Sequence, residues 1–417
     1  MLSRLGFPAV GRHGRFVTAI GIDAMGSGVW MPVSMLYFLA VTPLDLVQVG
    51  LALTLGSVFT LPLSLVVGQV VDRYGAKRIL QVGNILQAVG FAAYPFAHTV
   101  PTVAAVIAVA SVGRTAFWGS FSPMVAAISE PGERERWFGF LGALRNSGFA
   151  VGGLVAAGVI TIGTRPVYTA VVLVNAASYL ASFVLMSGVA ATERRTPSRQ
   201  GGGWREVLGD RGYRWLVGCN FAYAMTEMSL IVVMPVYIVR MLHLPGWLSG
   251  SVFVINTVMI GVGQGLIVNR MTGAVRTRIV TLAAGVTAAS FALMYAAGLA
   301  SKPVAIGVVL VAAVVYTIGE MVAGPVLSAL ATESPPEHLR GRFLAVYQLS
   351  WNLSGVVAPV LYAWLLDRGA LSAWSGLAAM ALLGAACCVP MRRLLPLAGR
   401  RVTNTPQTAP TSEPVEI

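Results

Sequence analysis

Long apolar runs separated by short polar segments dominate the chain. A helix needs roughly 20 predominantly apolar residues to cross a hydrocarbon core about 30 Å thick. Runs of that length lie near residues 17–40, 46–70, 79–98, 102–127, 138–161, 166–189, 215–239, 247–268, 279–300, 303–331, 343–366 and 371–391. The pattern therefore predicts an all-α membrane protein with twelve transmembrane helices.

The composition is that of a chain surrounded by lipid. Apolar residues make up 56% of the 417 positions and charged residues only 11%, a balance that excludes a soluble globular protein. The 46 glycines fit helices that pack closely without a hydrophobic driving force between them. Cys219, Cys387 and Cys388 all fall in apolar runs, so we expect no disulfide framework and no metal site.

The basic residues are distributed unevenly between the loops. In a soluble protein a net charge of +13 would favour a nucleic-acid partner, but here the cations follow alternate loops. The loops on one side hold nearly all of them, whereas those on the other side hold only Arg165, Arg240, Lys302 and Arg368. The positive-inside rule then predicts a multi-pass protein of the inner (plasma) membrane, with both termini in the cytoplasm and no nucleic-acid partner.

A polar, glycine-rich and basic stretch between residues 190 and 214 divides the membrane part of the chain. The carboxyl-terminal end is rich in Pro and Thr, which is typical of disorder when apolar residues are few. We therefore predict a cytoplasmic amino terminus (1–16), an amino-terminal six-helix bundle (17–189), a cytoplasmic linker (190–214), a carboxyl-terminal six-helix bundle (215–395) and a disordered cytoplasmic tail (396–417).

The two halves repeat each other in sequence. A shift of 203 residues lays the Met-Pro-Val sequence at 31–33 over the one at 234–236. A shift of 206 superposes four more pairs, namely Gly113 on Gly319, Arg134 on Arg340, Arg136 on Arg342 and Asn146 on Asn352. Matches in the same order predict two pseudo-symmetric six-helix bundles with a central cavity between them.

The loop after the second helix has glycine, acidic and basic residues at fixed spacing: Gly68, Asp72, Arg73, Gly75, Lys77 and Arg78. This loop resembles the signature G-x-x-x-D-R-x-G-x-K/R-K/R of the major facilitator superfamily, and the likeness covers essentially the whole membrane part. The resemblance implies the superfamily fold and a transport function. It also implies a cytoplasmic gate in which Arg78 pairs with Glu130. The alternative for Lys77 and Arg78 is that they only follow the charge rule.

Ionisable residues inside the predicted helices are candidates for function, because a charge in the membrane is costly unless it faces water or a partner. Asp23, Arg114, Glu227 and Glu320 lie one each on helices 1, 4, 7 and 10, which line the central cavity in the superfamily. We expect Asp23 to pair with Arg114, with Arg145 on helix 5 as a competing partner. The alternative is a permanent ion pair that only fixes helix packing.

We predict that these groups couple transport to protons. Burial favours the neutral form of a carboxyl group and a nearby arginine favours its charged form, so a change of surroundings switches protonation. The proton gradient is the expected energy source, and we expect no cofactor. The sequence does not determine which of the three acids carries the proton.

Aromatic and amide side chains recur at helical spacing around these charges. Rings with few charges suit amphipathic or cationic ligands, because they offer dispersion and cation–π attraction. For each ring, packing between helices is an equally good explanation. The predicted cavity residues are Trp30, Tyr37, Trp118, Phe121, Asn220, Tyr223, Tyr316, Trp351 and Asn352.

Our first hypothesis is a proton-coupled exporter of small amphipathic molecules or drugs. Helix 5 resembles the drug/proton antiporter signature G-x-x-x-G-P-x-x-G-G only in part, because Gly153 stands where proline is expected, so the direction of transport stays open. A receptor or scaffold is a less favoured hypothesis, since the chain has no large soluble segment. The alternative is an uptake symporter for a small polar metabolite, which is favoured by the amides of Asn84, Gln87, Asn175, Asn256 and Asn352.

The sequence argues against an enzyme. The four histidines lie at helix ends or in loops, without a nucleophile, metal or phosphate-binding motif beside them. The expected partners are a small-molecule substrate, protons and the lipid bilayer, and we expect a monomer.

Overall fold

The computed structural model describes residues 11–128, 134–189, 204–271, 273–336, 339–394 and 400–402. Twelve helical segments in these ranges are long and apolar enough to cross a membrane, which confirms the predicted fold class. Helices are the expected solution, because lipid offers no hydrogen-bond partner to an unpaired backbone group. The helices are α1 (Gly14–Val41), α2 (Leu46–Ser57), α3 (Thr60–Tyr74), α4 (Ala76–Ala93), α5 (Val100–Ile128), α6 (Arg134–Ile162), α7 (Arg165–Ser187), α8 (Trp204–Gly209), α9 (Arg211–Val236), α10 (Gly246–Arg270), α11 (Arg276–Ala297), α12 (Lys302–Glu333), α13 (Arg340–Asp367) and α14 (Ala370–Leu394).

The second crossing consists of two helices, where the apolar pattern predicted a single one. α2 ends at Ser57 and α3 begins at Thr60. Pro62 explains the interruption, because a proline has no N–H to donate and its ring collides with the carbonyl group four residues earlier, here that of Val58. The Thr60 hydroxyl donates to the Ser57 carbonyl oxygen at 2.7 Å and so satisfies one backbone acceptor at the break.

The two halves have the same internal packing. In the first half α1 packs on α6 and α7, while α4 packs on α5 and α7. The second half repeats these pairs, with α9 on α13 and α14 and with α11 on α12 and α14. The structure therefore has the two pseudo-symmetric bundles that the repeated sequence predicted.

The halves meet mainly through two equivalent helix pairs, α2 with α13 and α6 with α10, and α1 also contacts α9. Thr54 of α2 donates to the Val356 carbonyl oxygen at 2.6 Å and accepts from the Val360 N–H at 3.3 Å. At the other pair, a Cβ atom on Gly250 would lie 2.7 Å from the backbone nitrogen of Ala157. These residues lie in the part of each helix that is distant from the α3–α4 loop. We call the side of the membrane on which the α3–α4 loop lies the basic side, and we call the other side of the membrane the opposite side.

Two short segments pack against the second half on the basic side. Helix α8, in the predicted linker, places Val207 in an apolar cluster with Tyr213. Arg400–Val402, within the predicted tail, pair with the loop before α11, where the Gly273 N–H donates to the Val402 carbonyl oxygen at 2.8 Å. Other parts of the predicted linker and tail, at 190–203, 395–399 and 403–417, lie outside the described residues.

Candidate functional site

An ion pair in the first half joins α1 to α6. Arg145 donates to the Asp23 carboxylate at 3.5 Å, and both side chains are largely buried. The helices approach closely beside the pair, because a Cβ atom on Gly28 would lie only 2.7 Å from the Cα atom of Phe149. The sequence left Arg114 and Arg145 as competing partners of Asp23, and the structure places Arg145 there.

Aromatic rings also hold the Arg145 guanidinium group. Its central carbon lies 4.1 Å from the ring centre of Trp118 and 5.1 Å from that of Phe149. A cation over a ring face is attracted by the negative face of the ring. Arg145 is therefore fixed by one acid and two rings.

A cavity of about 110 Å³ lies beside this ion pair, between α1, α4, α5, α6 and α7. Arg114 and Trp118 of α5 lie one helical turn apart in its wall, and both are exposed, Trp118 by 44%. Because they share the cavity wall with Asp23 and Arg145, this exposed face of α5 looks into the protein interior. The structure therefore brings Asp23, Arg114 and Arg145 to one site.

A cluster of rings from three helices forms another part of the cavity wall. Phe91 of α4 and Tyr94, the first residue of the 3-10 turn that follows α4, stack with ring centres 4.8 Å apart, and the Trp30 ring meets Phe91 edge-on at 5.0 Å. Tyr179 of α7 contacts Phe91 at 5.5 Å. The sequence analysis predicted Trp30 but missed the other three. The spacing of Gln87, Phe91 and Tyr94 places them on one face of α4 and of the turn that continues it, and that spacing was the available signal.

The second half holds a pair of acids. Glu227 of α9 and Glu320 of α12 are in side-chain hydrogen-bond contact. The amide of Asn256 donates to Glu320 Oε2 at 2.5 Å, and the Tyr223 and Tyr316 side chains lie beside Glu227, with the Tyr316 hydroxyl donating to the Thr226 carbonyl oxygen at 3.4 Å. Within the described ranges, neither acid forms an ion pair with an arginine or lysine. The sequence predicted both acids and both tyrosines as site residues, and the structure brings them together.

Three further predicted residues, Asn220, Trp351 and Asn352, lie where α9, the helix of Glu227, packs on α13. Asn220, two turns before Glu227 on α9, is buried and donates to the Ser350 hydroxyl at 2.6 Å. The Trp351 ring meets the Tyr223 ring edge-on at 5.8 Å, and Asn352 beside it is partly buried. These residues connect α9 to α13.

Two other predicted cavity residues pack inside the first half instead. Tyr37 is fully buried, with its ring 5.7 Å from Trp30 and 6.2 Å from Tyr94. Phe121 is 8% exposed and stacks on Phe117 at 6.3 Å. For these two rings the structure favours the packing alternative over contact with a ligand.

The predicted gate loop joins α3 to α4. Gly75 has a φ angle of 89°, a left-handed conformation that favours glycine, and α4 begins at the next residue. Lys77 donates to the carbonyl oxygens of Ser187 at 2.9 Å and Val189 at 2.7 Å, at the end of α7. The last carbonyl groups of a helix have no partner within the helix and attract a cation. Lys77 therefore contributes to the structure as well as to the charge asymmetry.

The other gate residues are placed only in part. Arg73 and Arg78 are exposed, and a Cβ atom on Gly68 would meet no atom within 4 Å. The side chain of Asp72 and the whole of Glu130 lie outside the described residues. The pairing of Arg78 with Glu130 therefore stays a prediction.

The equivalent loop of the second half contains an ion pair of the predicted kind. Gly273 also has a positive φ angle, 82°, and Arg276 follows it by three residues, as Arg78 follows Gly75. Arg276 is almost fully buried and lies 2.6 Å from the carboxylate of Glu333 at the end of α12. The second half thus joins the start of α11 to the end of α12 by an arginine and a glutamate.

The chain matches the Major Facilitator Superfamily over residues 16–359, and it belongs to this family of membrane transporters. This agrees with the signature loop, the twelve crossings and the exclusion of an enzyme. Similar proteins include the multidrug resistance protein MdtH of Cronobacter sakazakii, which is 25% identical over 77% of this chain and 78% of that protein. With MdtH of Salmonella typhimurium the identity is 26%, and the chain spans about half the length of that relative, 47%.

Solved structures show the same fold. A D-xylose-proton symporter aligns with a TM-score of 0.71 over 93% of this chain and 98% of its own, at 15% identity. A D323A mutant of the nucleoside transporter NupG aligns with a TM-score of 0.70 over 92% of this chain and 100% of its own, at 9% identity. At such low identity these structures establish the fold and leave the substrate open.

Proposed function

We propose that the protein is a proton-coupled exporter of small amphipathic molecules that works by alternating access. The observation that carries this proposal is the contact between Glu227 and Glu320 inside the membrane, without a cationic partner in the described part of the chain. Two carboxylates in contact repel each other, so one proton held between them stabilises the pair. A change in access to this pair loads or releases that proton.

The first half contributes the ligand site in this proposal. Its cavity combines aromatic rings with the charges of Asp23, Arg114 and Arg145. Asp23 is engaged by an arginine that two rings hold in place, whereas in the described part of the chain the acids of the second half contact each other and neutral groups, without a cation. We therefore assign the proton to Glu227 and Glu320 and the substrate to the first-half cavity. The name of the relatives, multidrug resistance protein, supports export.

Alternating access requires the passage between the halves to open on one side at a time. The contacts of Thr54 with α13 and of Gly250 with α6 hold the halves together on the opposite side. We assign the structure to the state that is open on the basic side. By the positive-inside rule this side is cytoplasmic, so both termini are cytoplasmic and the protein belongs to the inner membrane. Formation of the pair between Arg78 and Glu130 would then accompany closure of that side.

The second candidate function is uptake of a small polar metabolite together with protons. The cavity wall contains the amide of Gln87 and the hydroxyl groups of Ser27 and Ser111, which are suited to hydrogen bonding with a polar solute. A D-xylose-proton symporter is among the proteins of the same fold. The two functions differ in the direction in which the substrate moves when protons enter the cell.

The test is an accumulation assay in cells that lack their own efflux pumps. The protein is expressed as wild type, as Glu227→Gln and as Glu320→Gln, and retention of dyes, antibiotics and sugars is measured with and without a protonophore. Export predicts low dye retention that rises to the level of cells without the protein when the protonophore is added. Both glutamine variants should lose the protonophore-sensitive part, because an amide cannot exchange the proton.

Glu206→Gln on α8 is the matched control, since Glu206 is exposed and distant from both acids in sequence. It should retain wild-type export. Wild-type coupling in both Glu227→Gln and Glu320→Gln would overturn the assignment of the proton to this pair. Energised accumulation of a sugar would show that the protein is an uptake symporter and not an exporter.

A further inference from the structure

The first-half cavity carries an uneven set of charges. Two guanidinium groups, those of Arg114 and Arg145, share it with one carboxylate, that of Asp23. Arg145 lies 3.5 Å from Asp23 and forms an ion pair with it, so this carboxylate balances the charge of Arg145. Among the residues that the structure describes, no carboxylate lies within ion-pairing distance of Arg114. Within this described part of the chain, one positive charge in the cavity therefore has no carboxylate as a counter-charge.

An unbalanced cation in a membrane helix is costly, and such residues face water or a ligand rather than lipid. Arg114 meets this condition, because it is exposed and lines the cavity. A guanidinium group presents paired N–H donors that match the two oxygens of a carboxylate, and it keeps its charge in a poorly solvated site. An anionic group that enters the cavity thus gains a partner and removes the unbalanced charge.

The same cavity disfavours a cationic ligand. Among the described residues that line it, the one carboxylate, that of Asp23, is already paired with Arg145. The face of Trp118, the most exposed ring, is covered by the Arg145 guanidinium group at 4.1 Å, so this ring has little cation–π attraction left to offer. A cation would also face Arg114. Charge and the covered face of Trp118 therefore disfavour the cationic ligands that the aromatic residues alone had favoured.

The size and the rings of the cavity define the rest of the ligand. Its volume of about 110 Å³ is somewhat smaller than the roughly 150 Å³ engineered cavity that holds benzene, so it accommodates a group no larger than about one ring. Trp30, Phe91, Tyr94 and Tyr179 offer edges and faces for such a ring. Larger parts of a substrate must extend into the passage between the halves.

We propose that the first-half cavity binds the carboxylate-bearing aromatic end of the substrate, with Arg114 as the residue that contacts the anionic group. This inference rests on the proposed exporter function and specifies its substrates as aromatic acids, including molecules that carry other groups beyond the acid. Asp23 and Arg145 then form a fixed part of the wall.

The test measures binding directly, by isothermal titration calorimetry on the full-length protein purified in detergent. The probes are 2-naphthoate, 2-naphthamide and 2-naphthylmethylammonium, which share one ring system and differ in charge. The ring that bears the polar group is to occupy the cavity, and the second ring is to extend into the passage. For the wild type we expect 2-naphthoate to bind at least about tenfold more tightly than the amide, the contribution of one charge-assisted contact, and the ammonium probe to bind most weakly.

Arg114→Gln should abolish the preference for 2-naphthoate, and Arg114→Lys, which keeps the charge but not the paired donors, should retain part of it. Lys302→Gln is the matched control, because Lys302 is an exposed cation at the start of α12, and it should keep the wild-type preference. Thermal unfolding of each variant confirms that it is folded before titration.

Four results would each overturn the proposal: equal binding of acid and amide by the wild type, tightest binding of the ammonium probe, an intact preference in Arg114→Gln, or no saturable binding of any probe. The proposed export function is tested separately by the cell assay with Glu227→Gln and Glu320→Gln. If the protein prefers acids through Arg114 but shows no proton-coupled export, the proposed ligand site stands and the proposed exporter function is wrong. If it shows proton-coupled export without the Arg114-dependent preference, the exporter function stands and the proposed ligand site is wrong.

Discussion

At the residue scale, the pair formed by Asp23 and Arg145 makes a prediction about stability. Removing one member of a buried ion pair is more harmful than removing both, because the remaining charge has lost its partner. We predict that Asp23→Asn lowers the free energy of unfolding by on the order of 3 kcal/mol. The double variant Asp23→Asn with Arg145→Gln should recover much of this loss. Thermal and denaturant unfolding in detergent provide the measurement, and equal stability of the single and double variants would contradict it.

The same residues show how far sequence alone reaches. Asp23, Arg114 and Arg145 stand out because they are charges in apolar runs, and the structure gathers all three at one cavity. The choice of Arg145 as the partner of Asp23 depends on the close approach of α1 and α6 at Gly28 and Phe149. A periodic pattern shows which face of a helix a residue occupies but gives no distance to a residue on another helix.

Amide groups are harder to assign from sequence than charges. Asn256 was one of five amides that kept the uptake hypothesis open, and nothing in its apolar run distinguishes it from the others. In the structure it donates to Glu320, whereas Asn84 donates to Ser182 within the packing of the first half. An amide is satisfied equally well in either setting, so its role follows only from the partner that the fold supplies.

At the element scale, the crossing of α6 and α10 depends on the absence of a side chain at Gly250. A Cβ atom there would lie 2.7 Å from the Ala157 nitrogen, while a Cβ atom on Gly158, in the next position of α6, would meet no atom within 4 Å. Gly250→Ala should therefore destabilise the protein by about 1–3 kcal/mol, as an overpacked contact does, and Gly158→Ala should have little effect. Unfolding in detergent compares the two. Equal stability of both variants would mean that the helices do not cross at this point.

Element boundaries were predictable where a backbone rule applies. Pro62 marks the break between α2 and α3, but an apolar run continues through it, so hydropathy alone joined the two helices into one crossing. Other helices contain prolines without a break, including Pro32 in α1 and Pro235 in α9. Neighbouring helices and local adjustments absorb a proline within a membrane, and the outcome at each position depends on tertiary contacts that the sequence does not display.

At the scale of the whole molecule, one hydroxyl group connects the halves in a way that favours the present state. In a regular helix the Val360 N–H would donate to the Val356 carbonyl group four residues earlier. Thr54 of the other half contacts both groups, since its hydroxyl donates to the carbonyl oxygen and accepts from the N–H. When the halves separate on the opposite side, these two groups of α13 can still bond to each other. The contact with Thr54 is therefore stabilising and at the same time inexpensive to break.

Thr54→Val keeps the shape of the side chain and removes both hydrogen bonds, so it should shift the protein toward the state that is open on the opposite side. A loss of about 1 kcal/mol corresponds to a change of about fivefold in the ratio of the two states.

The measurement uses spin labels at Thr99→Cys and Ser301→Cys, the exposed positions that precede α5 and α12 on the opposite side. The three native cysteines are replaced by alanine in the labelled chain, and the labels report the change as a distance distribution. The longer-distance population should increase in Thr54→Val. It should stay at the wild-type level in Thr281→Val, because the Thr281 hydroxyl donates to the Thr277 carbonyl oxygen of its own helix, within the second half. An unchanged distribution in Thr54→Val would show that this hydroxyl group does not bias the rocking of the halves, and the balance between the two states would then rest on the glycine contact of α6 with α10.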